Sequence, residues 1–465
     1  MRNFILLMSD QHNPKVSSPY GHPFIHTPNM ERLAQLGTVY ESAYCASPLC
    51  VPSRSAFMTG RWPHETKIFN NCKVFEHEYP SYGGVLAEQG VHTVFIGGAA
   101  NLYRDPFALG FSELHGVHRR PKSLSKDFCR SPVPMRDTGA PATPCGPKDG
   151  ARAREIRDVD RAIEWLKTTA PSLGTPWVLT ITIHAPHPPL EAPPEFWNMY
   201  EELADLPEYG AGEHSANHPY AQDLRRYQRA DDVTEEKARR MRQGYYALVT
   251  HVDRQIGRLM DAWLELGLAE NTVLAYTSDH GEMLGKFGMW FKSSLYEDSV
   301  RVPLIVAGPG FAAGRRVRTP VSHLDLQAAI FETVGAERPA SWAGEPLQDV
   351  ADGDAERVVF AEYHGHGTRS GAFMIRQGDW KLLYNMQAPH QLFNLKEDPE
   401  ELRDVWQAER EVASQLEKEL RKVCDPEEVN ALAHEWEARQ LAEIDDILSD
   451  PNGASRLEWQ RCVEG

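Results

Sequence analysis

The chain lacks any run of eighteen consecutive apolar residues, so no segment is long enough to cross a bilayer as a helix. It also lacks a disulfide framework. Its seven cysteines, Cys45, Cys50, Cys72, Cys129, Cys145, Cys424 and Cys462, are odd in number and scattered over 465 residues. The opening "MRNFILLMSDQH" has no small-residue cleavage site after its short apolar run, and reads as a first strand rather than a signal peptide. A reducing cytoplasm is the compartment that these absences imply. Basic charge is in deficit too: 49 Lys and Arg face 66 Asp and Glu, a formal net charge of -17. That argues against a nucleic-acid partner, which needs a basic face. An anionic small molecule is compatible only with a locally positive site.

What is present is ordinary in bulk and informative in order. The apolar fraction is 41% and the charged fraction 25%, as in soluble globular proteins. The length exceeds one usual hydrophobic core, so a large domain with a smaller one is expected. Short continuous apolar runs, "FILLMSD" (4–10), "HTVFIGG" (92–98), "WVLTITIH" (177–184), "TVLAYTSDHG" (272–281) and "VPLIVAGPG" (302–310), read as strands buried on both faces. Helical stretches lie between them, among them "TPNMERLAQLG" with Thr27 as N-cap and Gly37 as stop. Strands alternating with helices predict an α/β fold, a large mostly parallel sheet sandwiched by helices. Residues 119–150 and 206–223 read as long surface loops. A Gly-rich acidic stretch near residue 350 marks a boundary. Residues 1–350 form the α/β domain, and 351–465 a smaller C-terminal α+β domain of antiparallel strands and terminal helices. Within it, residues 398–423 read as one helix. The amphipathic tail 433–449 covers either its own core or a second copy in a homo-oligomer.

Three stretches carry candidate chemistry. Asp10-Gln11 follows the first strand, where ligands of such sheets bind and a carboxylate suits a hard cation. "TSDHGEMLGKFGMWFK" places Asp279 and His280 at the end of another strand, with Gly281 permitting a tight turn and Lys292 thirteen residues on. Two carboxylates at neighbouring strand ends would repel unless a cation neutralised them. The third stretch is "CVPSRSAFMTG", where a helix is expected to begin at Arg54 or Ser55. A cysteine at a helix N-terminus beside an arginine has a lowered pKa, so Cys50 reads either as a thiolate nucleophile or as an inert buried thiol.

The run Cys50-Val51-Pro52-Ser53-Arg54, followed by Thr59-Gly60-Arg61, resembles the signature of the type I sulfatases of the alkaline phosphatase superfamily. Asp10-Gln11, "APHPP" around His187, "SDHGEMLG" around Asp279 and the late "QLFNLKEDPEELRDV" come in that family's order. The resemblance implies hydrolysis of organic sulfate esters. It implies that a maturation enzyme oxidises Cys50 to formylglycine, whose hydrate is the nucleophile. It implies one divalent metal held by Asp10, Gln11, Cys50, Asp279 and His280, with calcium usual. Gln11 and His280, where many sulfatases carry Asp and Asn, are similar to choline sulfatases and phosphonate monoester hydrolases and admit manganese. By the same resemblance Arg54 holds the modified side chain and Lys292 touches the transferred group. His187 is the general acid, with His184 its rival, and Asn71 binds the sulfate. The pattern departs at residues 98 and 100. Gly98 and Ala100 stand where many sulfatases carry Lys and His, with Asn101, Tyr103 and Arg104 as nearby polar substitutes. That lower positive charge suits a monoanionic transferred group and keeps a second reading open, a phosphonate monoester hydrolase or phosphodiesterase on the same site. A catalytically dead binding protein is a third, and it requires an unmodified Cys50.

Overall fold

The computed structural model of the protein describes residues 2–71, 79–98, 106–117, 130 and 133–450. The first strand, β1 (Asn3–Asp10), is buried along its whole length. Its side chains divide by parity: Phe4, Leu6 and Met8 enter one core, Ile5 and Leu7 the other. This is the period-two consequence of a strand covered on both faces. Seven more strands complete the sheet: β2 (Gly37–Tyr40), β3 (His92–Ile96), β4 (Glu113–His115), β5 (Trp177–Pro186), β6 (Thr272–Ser278), β7 (Leu304–Ala307) and β8 (Arg315–Val317). Their order is β8-β2-β7-β6-β1-β5-β3-β4.

The sheet is mostly parallel, as expected, with one reversal. β7 runs antiparallel to both β6 and β2. Helix α1 (Pro28–Leu36) supplies Met30 and Leu33 to the second core. Thr27 and Gly37 flank this helix as expected, Gly37 as a C-cap with extended backbone. Gly37 also opens β2, and a Cβ there would meet the Val306 carbonyl oxygen at 2.3 Å, so close backbone approach is what requires glycine. Helix α2 begins at Cys50 and ends at Thr59, so the reactive position is the first helical residue itself, four residues ahead of the expected start at Arg54. With α3 (Tyr82–Glu88), α2 covers the first face; α4 (Ala153–Thr168) and the long α6 (Glu235–Glu265) cover the second.

Four antiparallel strands, β9 (Val358–Tyr363), β10 (Ala372–Gln377), β11 (Trp380–Asn385) and β12 (Gln391–Asn394), form the smaller C-terminal sheet. Alternation again decides what each face touches. Val359, Ala361, Tyr363, Met374 and Leu383 join the large domain's core. Phe360, Phe373, Ile375 and Leu382 face a separate core with the terminal helices α7 (Arg410–Val423) and α8 (Pro426–Ser449).

Several expectations are corrected here. Residues 398–409 contain no α-helix, because Asp398 and Asp404 bind nearby backbone N–H groups (Leu402, Arg403, Leu392, Trp406) and hold the chain in turns. The tail from 433 belongs to α8 and covers its own chain, burying Ala433, Ile444 and Ile447. The stretch 206–223 is not all loop, since α5 (Pro219–Gln228) starts within it. Of 119–150, residues 119–129, 131 and 132 lie outside the described residues, while Cys145–Pro147 pairs with Leu190–Ala192. Among the described residues no helix is long and apolar enough to cross a membrane.

Candidate active site

Register, not sequence proximity, brings the two aspartates together. β1 and β6 pair in parallel up to Ser9 opposite Ser278, so the next residues on each strand, Asp10 and Asp279, leave the sheet side by side. Arg54, on α2, lies between them. Its Nε donates to Asp279 Oδ2 at 2.7 Å, and its terminal nitrogen to Asp10 Oδ2 at 3.1 Å. All three are buried. One guanidinium between two carboxylates leaves net negative charge in a site nearly closed to water.

His280 completes the cluster through its tautomer. Its Nδ1 donates to the Gly281 carbonyl at 3.0 Å, so Nε2 carries a lone pair. That Nε2 lies 3.3 Å from Cys50 Sγ and 3.7 Å from both Asp10 Oδ1 and Asp279 Oδ1. Gly281 does not serve as the expected tight turn. A Cβ there would meet the Asp298 carbonyl oxygen at 2.1 Å, and the residue lets two backbone segments approach. Ligand atoms of Asp10, Cys50, Asp279 and His280 all lie within 4.8 Å of one another. The donor chemistry fits one divalent cation: two carboxylates, an imidazole with a free lone pair and the atom position of residue 50. Burial opposes a proton on His280, but Asp279 and Cys50 outweigh it and raise its pKa, a second sign that this pocket favours positive charge.

Gln11 sits on a strained backbone, φ 72°, which for a side-chain-bearing residue costs roughly 1–3 kcal/mol. Three contacts hold it there. Its N–H donates to Asp279 Oδ1 at 3.0 Å, its carbonyl accepts from the Tyr245 hydroxyl at 2.7 Å, and its side-chain Nε2 donates to Glu282 Oε2. With the amide nitrogen committed to Glu282, Gln11 Oε1 faces Lys292, whose Nζ donates to it at 2.5 Å. Glu282 also accepts from the N–H groups of Leu284 and Phe291. It is a positioning group that inspection of the sequence did not single out, because its role exists only after the chain folds back over Gln11.

His184 and His187 both reach the site, from the end of β5 and the turn after it. Their ring centroids lie 4.4 Å apart, with the planes tilted by 37°. His184 is half-exposed, with Nδ1 3.7 Å from Asp10 Oδ2. His187 donates from Nδ1 to the Pro188 carbonyl at 2.7 Å, leaving Nε2 free. Burial and the Lys292 charge hold its imidazole well below the ordinary range. Burial pushes Asp10 up, yet the charges around it, His187 and Arg54 first among them, hold it well below the usual carboxylate range. Asn71 accepts the Val51 N–H at 3.0 Å, fastening the first turn of α2. Cys45 is buried packing.

The site opens into a cleft of about 830 Å³ that contains Asp10, Cys50, Arg54, Asn71, His184 and His187. Lys292 is not among its lining residues; its Nζ is held on Gln11. Two lining arginines escaped sequence reading, Arg152 and Arg154 at the start of α4. Their signal, "ARAREIRD", is indistinguishable from the solvated first turn of an amphipathic helix. Arg152 donates to the carbonyls of His187 and Pro189 and thus clamps the histidine turn. His364 and His366 are buried, and His364 Nε2 is 2.8 Å from Glu362 Oε2. Residues 100, 101, 103 and 104 lie outside the described residues.

Comparison with known proteins decides the class. Residues 2–336 match the sulfatase family, and residues 285–440 match the C-terminal region of N-sulphoglucosamine sulphohydrolase. The chain belongs to the sulfatase family. It is 32% identical to a choline-sulfatase of Rhizobium meliloti over 429 residues, covering 87% of this chain and 82% of that protein. It is 27% identical to arylsulfatase K of Danio rerio over 476 residues, 96% of this chain and 88% of that one. The phosphonate monoester hydrolase of Agrobacterium radiobacter shares the fold, with a TM-score of 0.74 at 22% identity, covering 91% of this chain and 95% of that one. This sulfatase is a sulfuric ester hydrolase, within the alkaline phosphatase superfamily that the cysteine signature indicated.

Proposed function

We propose that this sulfatase cleaves organic sulfate monoesters with an oxygen nucleophile derived from Cys50. One observation carries the reading: residue 50 is the first residue of a buried helix and faces the Asp10–Asp279–His280 cluster, with Arg54 below it. Formylglycine at this position, once hydrated, supplies a hydroxyl to attack sulfur and a second hydroxyl whose collapse expels sulfate. A divalent cation held by Asp10, Gln11, Asp279 and His280 supplies the positive charge that acidifies the attacking hydroxyl. Calcium suits the oxygen donors, and the imidazole of His280 extends the choice to manganese.

The chain's own groups do the rest. Arg54 aims the carboxylates of Asp10 and Asp279 through its two hydrogen bonds. Lys292, whose ammonium rests on Gln11, would turn from it to the transferred sulfonyl group, and Asn71 keeps its amide nitrogen available for a sulfate oxygen once its oxygen is spent on Val51. His187 is the general acid: its Nε2, left open by the Nδ1 bond to Pro188, takes up a proton as the anionic substrate binds and passes it to the leaving alkoxide, its turn pinned by Arg152. His184 lines the entrance and contacts the alcohol. Residues 1–350 carry this chemistry, and 351–465 brace it. The four described free cysteines, Cys45, Cys50, Cys145 and Cys424, suit a reducing cytoplasm, where a maturation enzyme must reach Cys50.

The phosphonate monoester hydrolase reading shares this machinery and is favoured by the fold likeness and by Gly98, which contributes no charge. Side-by-side kcat/KM on an aryl sulfate, a phosphodiester and a phenylphosphonate monoester decides between them. Sulfate turnover is expected to dominate. A phosphonate efficiency far above the sulfate one would reverse the order of the two readings. A second outcome concerns His187. His187→Ala should lower turnover of an alkyl sulfate about 10²–10⁴-fold and of a nitrophenyl sulfate far less, since a good leaving group needs little protonation. Equal losses on both would remove His187 from the acid role.

A further inference from the structure

The rim of the cleft carries a cation for which the proposed chemistry has no use. Arg154 is exposed at the start of α4, its side chain 46% accessible, and lines the same cleft as Cys50. Among the described residues its one hydrogen bond runs from a terminal nitrogen to the Gly116 carbonyl, at 2.7 Å. Its acidic neighbour, Asp158, is shared. Arg154 Nε lies 3.7 Å from one Asp158 oxygen and an Arg161 nitrogen 3.6 Å from the other. Among these described groups two guanidiniums share one buried carboxylate, a local excess of positive charge.

Glycine at 98 makes the position of Arg154 possible. A Cβ on Gly98 would stand 3.0 Å from a terminal nitrogen of Arg154 and 3.2 Å from its guanidinium carbon. The guanidinium thus lies flat over the end of β3, in space that any side chain at 98 would claim. Deeper in the cleft, Glu155 is occupied by Arg152, by the Ala185 N–H and by His251 and offers no carboxylate to a cationic substrate. Among the described lining residues there is no Phe, Tyr or Trp to offer an aromatic face to a quaternary ammonium.

We propose that Arg154 is a specificity-determining residue that reads a second anionic group, a carboxylate or a further sulfate, on the alcohol part of the substrate. The proposal rests on the sulfate-ester reading above and names the substrate class for it: sulfate esters of anionic alcohols, not of cationic ones. A guanidinium at an open rim pairs with such a group through a screened, geometrically matched contact, and its contribution falls on binding more than on the chemical step.

The test uses para-nitrophenyl sulfate, its ring-carboxylated counterpart and choline sulfate on the intact, matured enzyme. The wild type should prefer the carboxylated ester in kcat/KM, and turn over choline sulfate least. Arg154→Ala should reduce that preference about five- to tenfold, through KM, and Arg154→Lys should retain part of it. Gly98→Ala, which pushes the guanidinium away, should move the ratio in the same direction. Equal losses on both aryl esters would place Arg154 at the transferred group and overturn the proposal, as would an unchanged ratio or a wild-type preference for choline sulfate. Calorimetric binding of the matching carboxylated and plain aryl sulfonates, which do not turn over, reads the same ratio without activity. Failure of all sulfate turnover with an intact binding preference would sink the sulfate-ester reading and spare Arg154.

Discussion

Cys50→Ala is expected to abolish turnover of every ester while leaving the fold and its thermal stability nearly unchanged. The two halves of that expectation have separate physical grounds. The nucleophile is lost outright, because alanine has neither a sulfur to oxidise nor an oxygen to attack with, and loss of a covalent nucleophile commonly costs 10⁴-fold or more. The fold is spared because residue 50 is only partly buried and its sulfur makes polar contacts, 3.3 Å to His280 Nε2 and 4.0 Å to Asp10 Oδ1, rather than core packing. Alanine is also a good residue for a helix start that Asn71 already fastens. Rates and melting curves of the two proteins, with mass analysis of the peptide containing residue 50, check it. In the active wild type that peptide should have lost one sulfur and two hydrogens and gained one oxygen, the exchange of a thiol for an aldehyde. Full activity with an unmodified thiol would refute the mechanism. A modified but inactive protein would direct attention to the metal.

Lys381→Met should destabilise the whole protein by about 3–5 kcal/mol, and should weaken the active site without touching it. Lys381, on β11, is fully buried between the carboxylates of Glu297 and Glu401, at 2.8 Å from each. Burial raises the Glu401 pKa and lowers charge on Lys381, yet the paired carboxylates dominate and lift the Lys381 pKa. Methionine has nearly the right shape and no charge, so it strands two carboxylates in the interior. Double replacement with Glu401→Gln should recover part of the loss, since one stranded charge is then gone. The link to the site runs through the next residue. Asp298 follows Glu297, receives Lys15 and Lys286, and offers its carbonyl to the Glu282 N–H that begins the Gln11 support. Denaturant melts should show the stability loss, and metal titration of the variant a weaker affinity. A stability change below 1 kcal/mol would mean that the triad is solvated in solution.

Much of the site was legible before any fold was known, because its chemistry demands rare residues in rigid order. A cysteine followed by Pro-Ser-Arg, a strand ending in Asp, and a second strand ending in Asp-His each have one local cause. The geometry confirms their convergence: Asp10, Cys50, Asp279 and His280 share one small volume. Less was legible where the cause lies across the chain. The helix of Cys50 starts four residues early because Val51 receives its N-terminal partner from Asn71, twenty residues away. The helix expected over 398–423 starts at Arg410, because Asp398 and Asp404 spend their oxygens on nearby backbone groups.

By itself the sequence determined the class of this protein, the sulfatase family, and its alternation of buried strands and helices, and it proposed ten site residues from Asp10 to Lys292. Tertiary structure alone decided which of its many ordinary residues join them. Glu282 became the support of Gln11, Arg152 the clamp on His187 and Arg154 a cation over Gly98, although none stands out in the chain. The reason is physical. A nucleophile or metal ligand is recognisable by what its side chain is, whereas a positioning group acts through distance, and distance between remote residues is set by strand register and helix packing, which no local stretch encodes.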